Sequence, residues 1–106
     1  MGGRARQKPE RLGEKLLQVR TALGLSQPAM LHRLGAEDTI KYTRISDYEL
    51  GKGEPSILLI LEYARVANVH MEVLVDDSLD LPDKLPSPTK SEGIKRAAAQ
   101  RRRTRR

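Results

Sequence analysis

The apolar residues near the start of the chain recur at helical spacing. Four of them fall three or four positions apart and share one face of an α-helix: Leu12, Leu16, Val19 and Leu23. Gly24 follows directly, and glycine readily adopts the left-handed conformation that ends many helices. The pattern therefore predicts a first helix that begins at Leu12 and ends before Gly24.

A capping signal followed by another apolar face indicates a second helix. Ser26 is a favourable N-cap, and Pro28 is tolerated in the first turn because its missing N–H would have no partner within the helix. The apolar face consists of Met30, Leu31 and Leu34. Gly35 follows at once, so we expect the second helix to end there.

The third helix is short, and two starting points fit the pattern. Its apolar face consists of Ile40, Ile45 and Tyr48. Thr39 is a favourable N-cap for a helix that begins a turn early, whereas the small or polar residues 36–38 fit a longer loop. The sequence leaves both open.

A turn-forming segment over residues 51–56 precedes two more helices, and Ser56 is placed to cap the fourth. The apolar face of the fourth helix consists of Ile57, Ile60, Leu61, Ala64 and Ala67. Asn68 is tolerated as a left-handed residue at its end. A fifth, short helix is indicated by Val69, Met71, Leu74 and Val75. The periodicity predicts an all-α domain of five helices.

The apolar density falls after residue 76. Prolines at 82, 86 and 88 indicate an extended linker, and from Ser87 onward the chain is too polar and charged to bury a core. We therefore expect a basic N-terminal tail over residues 1–11, a helical domain over 12–76, and a disordered linker with an arginine-rich tail over 77–106.

Length and composition narrow the class of protein. A chain of 106 residues has room for one domain with a modest core. The absence of cysteine excludes disulfides, thiolate metal sites and cysteine nucleophiles. The longest apolar run, residues 57–61, is far too short to span a membrane, and no apolar segment follows the basic N-terminus as a signal peptide requires. We expect a cytoplasmic protein without a membrane partner.

The positive charge of the chain lies outside the predicted helices. The net charge is +6, but residues 1–11 carry four basic side chains against one acidic, and residues 87–106 carry eight against one. The segment between them is net negative. Charge alone therefore does not identify the helical domain as a nucleic-acid binder, whereas the tails suit an anionic partner.

Two helices joined by a connection, with one helix before them and two after, form the layout in which one helix enters a DNA major groove. The chain carries four local motifs within this layout: Leu23-Gly24-Leu25-Ser26-Gln27, Leu34-Gly35, Ile45-Ser46-x-Tyr48-Glu49-x-Gly51-Lys52 and Glu54-Pro55-Ser56. On these motifs it resembles the Cro/C1-type, or XRE, helix-turn-helix family. The resemblance implies a lambda-repressor-like fold of five helices, a helix-turn-helix motif over about residues 27–50, and double-stranded DNA as the partner.

The resemblance also implies which residues contact DNA. Gln27 would contact a backbone phosphate at the start of the second helix, and Lys52 would lie near a phosphate in the turn after the third. Six residues would face base edges or flanking phosphates in the major groove: Lys41, Tyr42, Thr43, Arg44, Ser46 and Asp47. A packing role for Tyr42 is equally compatible. Arg20 and Glu49 match an internal ion pair of some family members, whose role is structural.

Three positions depart from the usual pattern of this family. Ile45 lies ten positions after Gly35, about four more than usual. Leu31 stands where a small residue is usual, which changes the packing of the two helices. Asp47 can accept a hydrogen bond from a cytosine amino group, but its carboxylate repels the surrounding phosphates.

No catalytic, cofactor or metal site is indicated. His32 and His70 have no companion at metal-ligand spacing. The acidic residues after the fifth helix lack the glycine of a calcium loop and a partner nucleophile: Asp76, Asp77, Asp80 and Asp83. We interpret them as the solvated end of a helix.

Apolar residues off the core face of the fourth and fifth helices predict an interface: Leu58, Leu59, Val66 and Val73. A homodimer would use it to place two third helices on neighbouring half-sites of an operator, as a nucleoid-associated regulator. An antitoxin-like or adaptor protein would use it for a protein partner, with DNA binding secondary. In a third hypothesis, the chain associates with RNA through residues 101–106, which otherwise add phosphate contacts on DNA.

Overall fold

The computed structural model describes residues 8–86, and these contain five α-helices and no strand. The all-α prediction is confirmed, and the tails over residues 1–7 and 87–106 lie outside the described residues. The helices follow in the order α1 Leu12–Leu23, α2 Gln27–Leu34, α3 Thr43–Glu49, α4 Ile57–Ala67 and α5 Met71–Val75.

The predicted caps delimit the helices. Ser26 Oγ accepts a hydrogen bond from Ala29 N at 3.2 Å, and Ser56 Oγ accepts one from Leu59 N at 3.1 Å. Gly35 ends α2 in the left-handed conformation with φ 69°, and its N–H donates to His32 O at 2.9 Å. These local signals set the bounds of α2 and the start of α4, which together frame α3.

One core joins all five helices. Its centre consists of side chains with no exposed surface or nearly none: Leu16, Val19, Met30, Ile45, Tyr63 and Leu74. Within α4 the core face differs from the predicted one at the start of the helix, because Leu59 is buried whereas Ile57 is 68% exposed. Leu58 is 70% exposed, as expected for a residue off the core face.

The longer connection between α2 and α3 forms a loop, and α3 does not begin a turn early. The N–H groups of Thr39 and Ile40 both donate to Ala36 O, at 3.0 and 3.1 Å, so residues 36–40 make one compact turn. Ala36 is buried against the core. On the outer side, His32 Nδ1 contacts the Glu37 carboxylate, and this hydrogen bond lowers the pKa of Glu37. The extra residues are therefore folded onto the end of α2.

The start of α1 is fixed by the segment that follows α5. The two carboxylate oxygens of Asp77 accept hydrogen bonds from Glu10 N and Arg11 N at 2.9 and 3.0 Å. The Arg11 guanidinium donates to Asp77 O at 2.9 Å and to Asp80 Oδ1 at 2.7 Å. These contacts give two of the acidic residues after α5 a structural role.

The packed region extends beyond residue 76, where the sequence predicts a disordered linker. Leu81 is only 6% exposed and belongs to the core, and the partly buried Leu85 packs against this core. Leu81 is buried because Arg11 holds the preceding residues against α1. Over residues 77–86 the expectation of a disordered linker is therefore corrected.

Lys15 is the one charged residue in the core of the described chain, with no exposed surface. Its Nζ donates to Val73 O and to Asp76 O, both at 2.8 Å, and thereby satisfies carbonyl groups at the end of α5. Burial lowers the pKa of this lysine. A lysine on the apolar face of α1 thus serves as the cap of a distant helix.

Candidate nucleic-acid interface

The α3 helix is anchored on one side and exposed on the other. Ile45 and Tyr48 are buried, so this seven-residue helix is held by two large side chains. The predicted reading residues Thr43 and Arg44 are exposed, and Ser46 and Asp47 are half-buried on the outer side. A short rigid helix with a polar outer edge is thereby presented to solvent.

Arg44 is oriented by its neighbours. Its guanidinium carbon lies 5.2 Å from the centroid of the Tyr48 ring, in the range of a cation–π contact, and its Nη1 lies 3.5 Å from Asp47 Oδ2. The carboxylate of Asp47 therefore has a cation beside it. This pairing offsets part of the repulsion that a lone carboxylate would exert on phosphate.

An ion pair holds the C-terminal end of α3 against α1. The guanidinium of Arg20 donates to both carboxylate oxygens of Glu49, from Nε at 2.6 Å and from Nη2 at 2.9 Å. Arg20 Nη1 also donates to Leu25 O at 3.0 Å. The Glu49 side chain is only 5% exposed. The pair thus joins α1, the α1–α2 turn and α3 in the way that the resemblance implies.

The same carboxylate reaches the first residue of α2. Gln27 Nε2 donates to Glu49 Oε1 at 3.4 Å, so the side chain expected to contact phosphate is held by the ion pair. Behind the pair lies Tyr63, whose hydroxyl is buried and has no hydrogen-bond partner among the described residues. Burial raises the pKa of Tyr63, so this hydroxyl stays neutral.

A family model described as helix-turn-helix matches residues 16–74, which is more than half of the chain. The chain belongs to the Cro/C1-type helix-turn-helix family. This family, also called XRE, comprises DNA-binding regulators, and the five-helix structure agrees with its lambda-repressor-like fold. No curated protein and no solved structure matches the chain. Among residues 8–86, no helix has the length and apolar character needed to cross a lipid bilayer.

In this helix-turn-helix domain the remaining predicted DNA contacts flank α3. Lys41 and Tyr42 directly precede the helix and are exposed, and Lys41 O accepts from Arg44 N at 3.0 Å. Lys52 follows the helix, and its backbone N–H donates to Asp47 O at 2.8 Å. All eight predicted contact residues therefore lie in α3, in the segments just before and after it, or at the start of α2.

Sequence reasoning missed the close approach of α1 to α3 at Gly13. A Cβ atom built at Gly13 would lie 2.7 Å from Tyr48 O, closer than real Cβ atoms approach other atoms, and 3.0 Å from Glu49 O, tighter than most such contacts. A glycine inside an otherwise regular helical pattern is the signal that could have shown it, because such a residue costs about 1 kcal/mol relative to alanine. Glycine at this position therefore allows the start of α1 to pack closely against the end of α3.

Proposed function

We propose that the chain is a sequence-specific, repressor-like transcription regulator whose α3 helix lies in the DNA major groove. The observation that carries this proposal is the geometry of α3, which buries Ile45 and Tyr48 and turns Thr43 and Arg44 outward. A rigidly held helix with polar residues on its exposed edge is what direct reading of bases requires.

Each exposed side chain suits a particular chemical partner on DNA. Arg44 can donate two hydrogen bonds to a guanine, and Asp47 beside it can accept one from the amino group of the paired or neighbouring cytosine. Gln27, at the start of α2, and Lys52 suit phosphate oxygens. Thr43, Ser46, Lys41 and Tyr42 complete the surface around α3. In this assignment the residues that contact bases determine which DNA sequence is bound, and those that contact phosphates position the domain on the duplex.

The regulator acts as a homodimer in this proposal, with two α3 helices on half-sites about one helical turn apart. Support comes from the start of α4, where Ile57 and Leu58 are 68% and 70% exposed next to each other. Leu59 and the half-buried Val66 and Val73 offer less free surface. A Leu58→Lys variant is expected to sediment as a monomer at concentrations where the unmodified chain sediments as a dimer.

Selection of binding duplexes from a randomised pool tests the proposal. The selected duplex and a scrambled one are then titrated with the Thr43→Ala, Arg44→Ala double variant. We expect the preference for the selected duplex to fall by at least tenfold, because each good base contact contributes about 1–3 kcal/mol of discrimination. Lys52→Gln serves as the control and should weaken both duplexes equally. Equal loss on both duplexes in the double variant would contradict the assignment of α3.

A second candidate function is that of an antitoxin-like or adaptor protein that binds a protein partner. A groove of about 510 Å³ runs between α4 and the loop after α2, with an apolar lining that includes Ile40, Leu58 and Leu61. A partner that copurifies at high salt and is lost in Leu61→Lys would favour this function over the homodimer. A purified chain that dimerises alone would favour the homodimer.

A further inference from the structure

The guanidinium of Arg44 lies over an aromatic ring and beside a turn. Its central carbon is 5.2 Å from the centroid of the Tyr48 ring, and Nη1 is 3.5 Å from Asp47 Oδ2. A Cβ atom built at Gly53 would lie 3.6 Å from Arg44 Nη2 and 3.6 Å from the Tyr48 ring. The side chain that is proposed to contact guanine therefore has three residues of the domain beside it.

The Tyr48 ring is a fixed surface. Tyr48 is only 5% exposed and belongs to the core that joins the helices. Side chains in a helix lean toward its N-terminus, so the ring of Tyr48 covers the position four residues earlier, which is Arg44. Because core packing holds the ring in place, its face favours one position of the guanidinium over the others that a long side chain could take.

The turn that brings Gly53 to Arg44 is held by the end of α3. Gly51 is left-handed, with φ 76°, and its N–H donates to Tyr48 O at 3.1 Å, while Lys52 N donates to Asp47 O at 2.8 Å. These two hydrogen bonds form a Schellman motif, which ends the helix and turns the chain away from its axis. Gly53 follows directly and lies next to Tyr48 and Arg44. With no side chain of its own, it leaves room for the guanidinium.

The contact with the ring leaves the hydrogen-bond donors of Arg44 available. Attraction between a cation and the face of a ring uses no N–H group. A guanidinium has five such groups, of which guanine needs two, for its O6 and N7 atoms. The Arg44 side chain is 49% exposed, so part of it is open to a base. The arrangement thus restricts the arginine without occupying the groups that recognise guanine.

A restricted side chain loses less conformational entropy when it binds than one that is free to rotate. For Arg44 this gain applies only at the base that it contacts. The phosphate contacts proposed for Gln27 and Lys52 do not depend on it. The expected consequence is a stronger preference for guanine at one position of the binding site, with the other positions unaffected.

We propose that Tyr48 and Gly53 are positioning residues for base recognition, which hold Arg44 in the orientation that contacts guanine. Tyr48 does so through its ring face, and Gly53 by leaving space beside the guanidinium. The proposal rests on the proposed function, since it takes Arg44 as a residue that contacts a base. Two residues that need not touch DNA then help to determine which sequence is bound.

Ring fluorination separates this role of Tyr48 from its role in the core. In the full-length chain, Tyr48→Phe keeps the ring and serves as the reference, and Tyr48→trifluorophenylalanine keeps its shape but weakens the negative face that attracts a cation. Each variant is titrated with the duplex selected by the unmodified chain and with the same duplex carrying adenine at the guanine that Arg44→Ala no longer prefers. We expect fluorination to lower the guanine preference about two- to fivefold, because it reduces the population of Arg44 in the required orientation. An equal guanine preference in the two variants would overturn the role of Tyr48.

Two controls show whether the ring acts through Arg44. Tyr63 is also buried in the core, on α4, so Tyr63→Phe and Tyr63→trifluorophenylalanine make the same chemical change there and should have equal guanine preferences. In an Arg44→Ala background, fluorination at Tyr48 should no longer change the binding of either duplex. A similar loss of binding with and without Arg44 would mean that the ring acts through the fold, and would contradict the proposal.

Gly53→Val gives a second test that leaves the ring intact. Its methyl groups would take space beside Arg44 Nη2, so the guanine preference should fall. Any effect of the altered turn on the Lys52 phosphate contact weakens both duplexes and cancels from the ratio of their affinities. An unchanged guanine preference would overturn the role of Gly53. If Arg44→Ala itself keeps every base preference, the assignment of Arg44 in the proposed function fails, so that failure is distinguishable from failure of the positioning role.

Discussion

The two ends of α1 are both tied by charged side chains, but they hold different parts of the domain. At the C-terminal end, Arg20 binds Glu49 and through it α3 and Gln27, so this end supports the proposed DNA surface. At the N-terminal end, Arg11 and Lys15 bind α5 and the segment after it, so this end closes the domain.

The difference lies in the kind of partner. At one end a guanidinium meets a nearly buried carboxylate in a two-point contact. At the other end, Arg11 also meets a carboxylate, but that of Asp80 is 79% exposed, and the buried Lys15 is bound to backbone carbonyl groups, which any sequence would offer. A pair of side chains leaves a recognisable pattern in the sequence, whereas a side chain that caps a distant backbone leaves none.

The largest stability effect is expected at the C-terminal end of α1. Glu49→Ala leaves the Arg20 guanidinium partly buried and without its carboxylate, and should lower the free energy of unfolding by about 3 kcal/mol. Tyr63→Phe removes the buried hydroxyl that lies next to the same ion pair. Because this hydroxyl has no hydrogen-bond partner among the described residues, the variant should change the free energy of unfolding by less than ~0.5 kcal/mol. Urea unfolding measures both. Similar losses in the two variants would show that packing, not the ion pair, stabilises this end.

A smaller loss of stability is expected at the N-terminal end of α1. Lys15→Met keeps most of the side-chain volume but removes the lysine's hydrogen bond to Val73 O and leaves Asp76 O with only the bond from Leu79 N, and should cost about 2 kcal/mol. Leu17→Met, on the exposed face of α1, is the control and should be nearly neutral. An unchanged free energy of unfolding in Lys15→Met would contradict the capping role of the lysine.

Gly13→Ala tests the contact between α1 and α3 that lies between these ends. Alanine favours the helix, but its Cβ would lie 2.7 Å from Tyr48 O, which is backbone and cannot move freely. We expect a net loss of about 1 kcal/mol in urea unfolding. Gln18→Ala, at an exposed position of α1, should be neutral or stabilising. Stabilisation by Gly13→Ala would mean that the helices approach less closely than described.

The smallest effect on stability is expected from protonation of Asp77 at acidic pH. Hydrogen bonds from Glu10 N and Arg11 N lower the pKa of Asp77 in the folded chain. The stability that this carboxylate adds is therefore complete above its ordinary pKa and is lost as pH falls through the lowered value. Asp77→Asn should be less stable at neutral pH and should lose less on acidification. Thermal unfolding at pH 7 and pH 3 checks this, and equal acid-induced losses would contradict it.

Local signals explain how much of the fold could be predicted. Ser26, Gly35 and Ser56 determine helix ends by interactions within a few residues, and these ends match the prediction. The folded loop over residues 36–40 and the burial of Leu81 depend on contacts between distant segments. The spacing of apolar residues does not indicate such contacts. The sequence alone therefore left the conformation of residues 36–40 open and predicted a disordered linker around Leu81.

The candidate site was predictable to the extent that it repeats a family pattern. The helix-turn-helix motifs point to α3 and to the Arg20–Glu49 pair. They do not indicate that Gln27 is bound to Glu49, because that contact depends on how α2 packs against α3. The contact of Arg44 with Tyr48 joins positions i and i+4 of α3, a spacing that allows it but does not fix the rotamers. The orientation of the side chains thus had to come from the structure.

The central claim is that α3 reads bases, and Arg44 tests it most directly. Binding sites are selected from a randomised duplex pool with the unmodified chain and with Arg44→Lys, which keeps the charge but cannot make a two-point contact with guanine. The account predicts that one guanine position in each half-site loses its preference in Arg44→Lys while the other positions keep theirs. An identical consensus for the two proteins would contradict it.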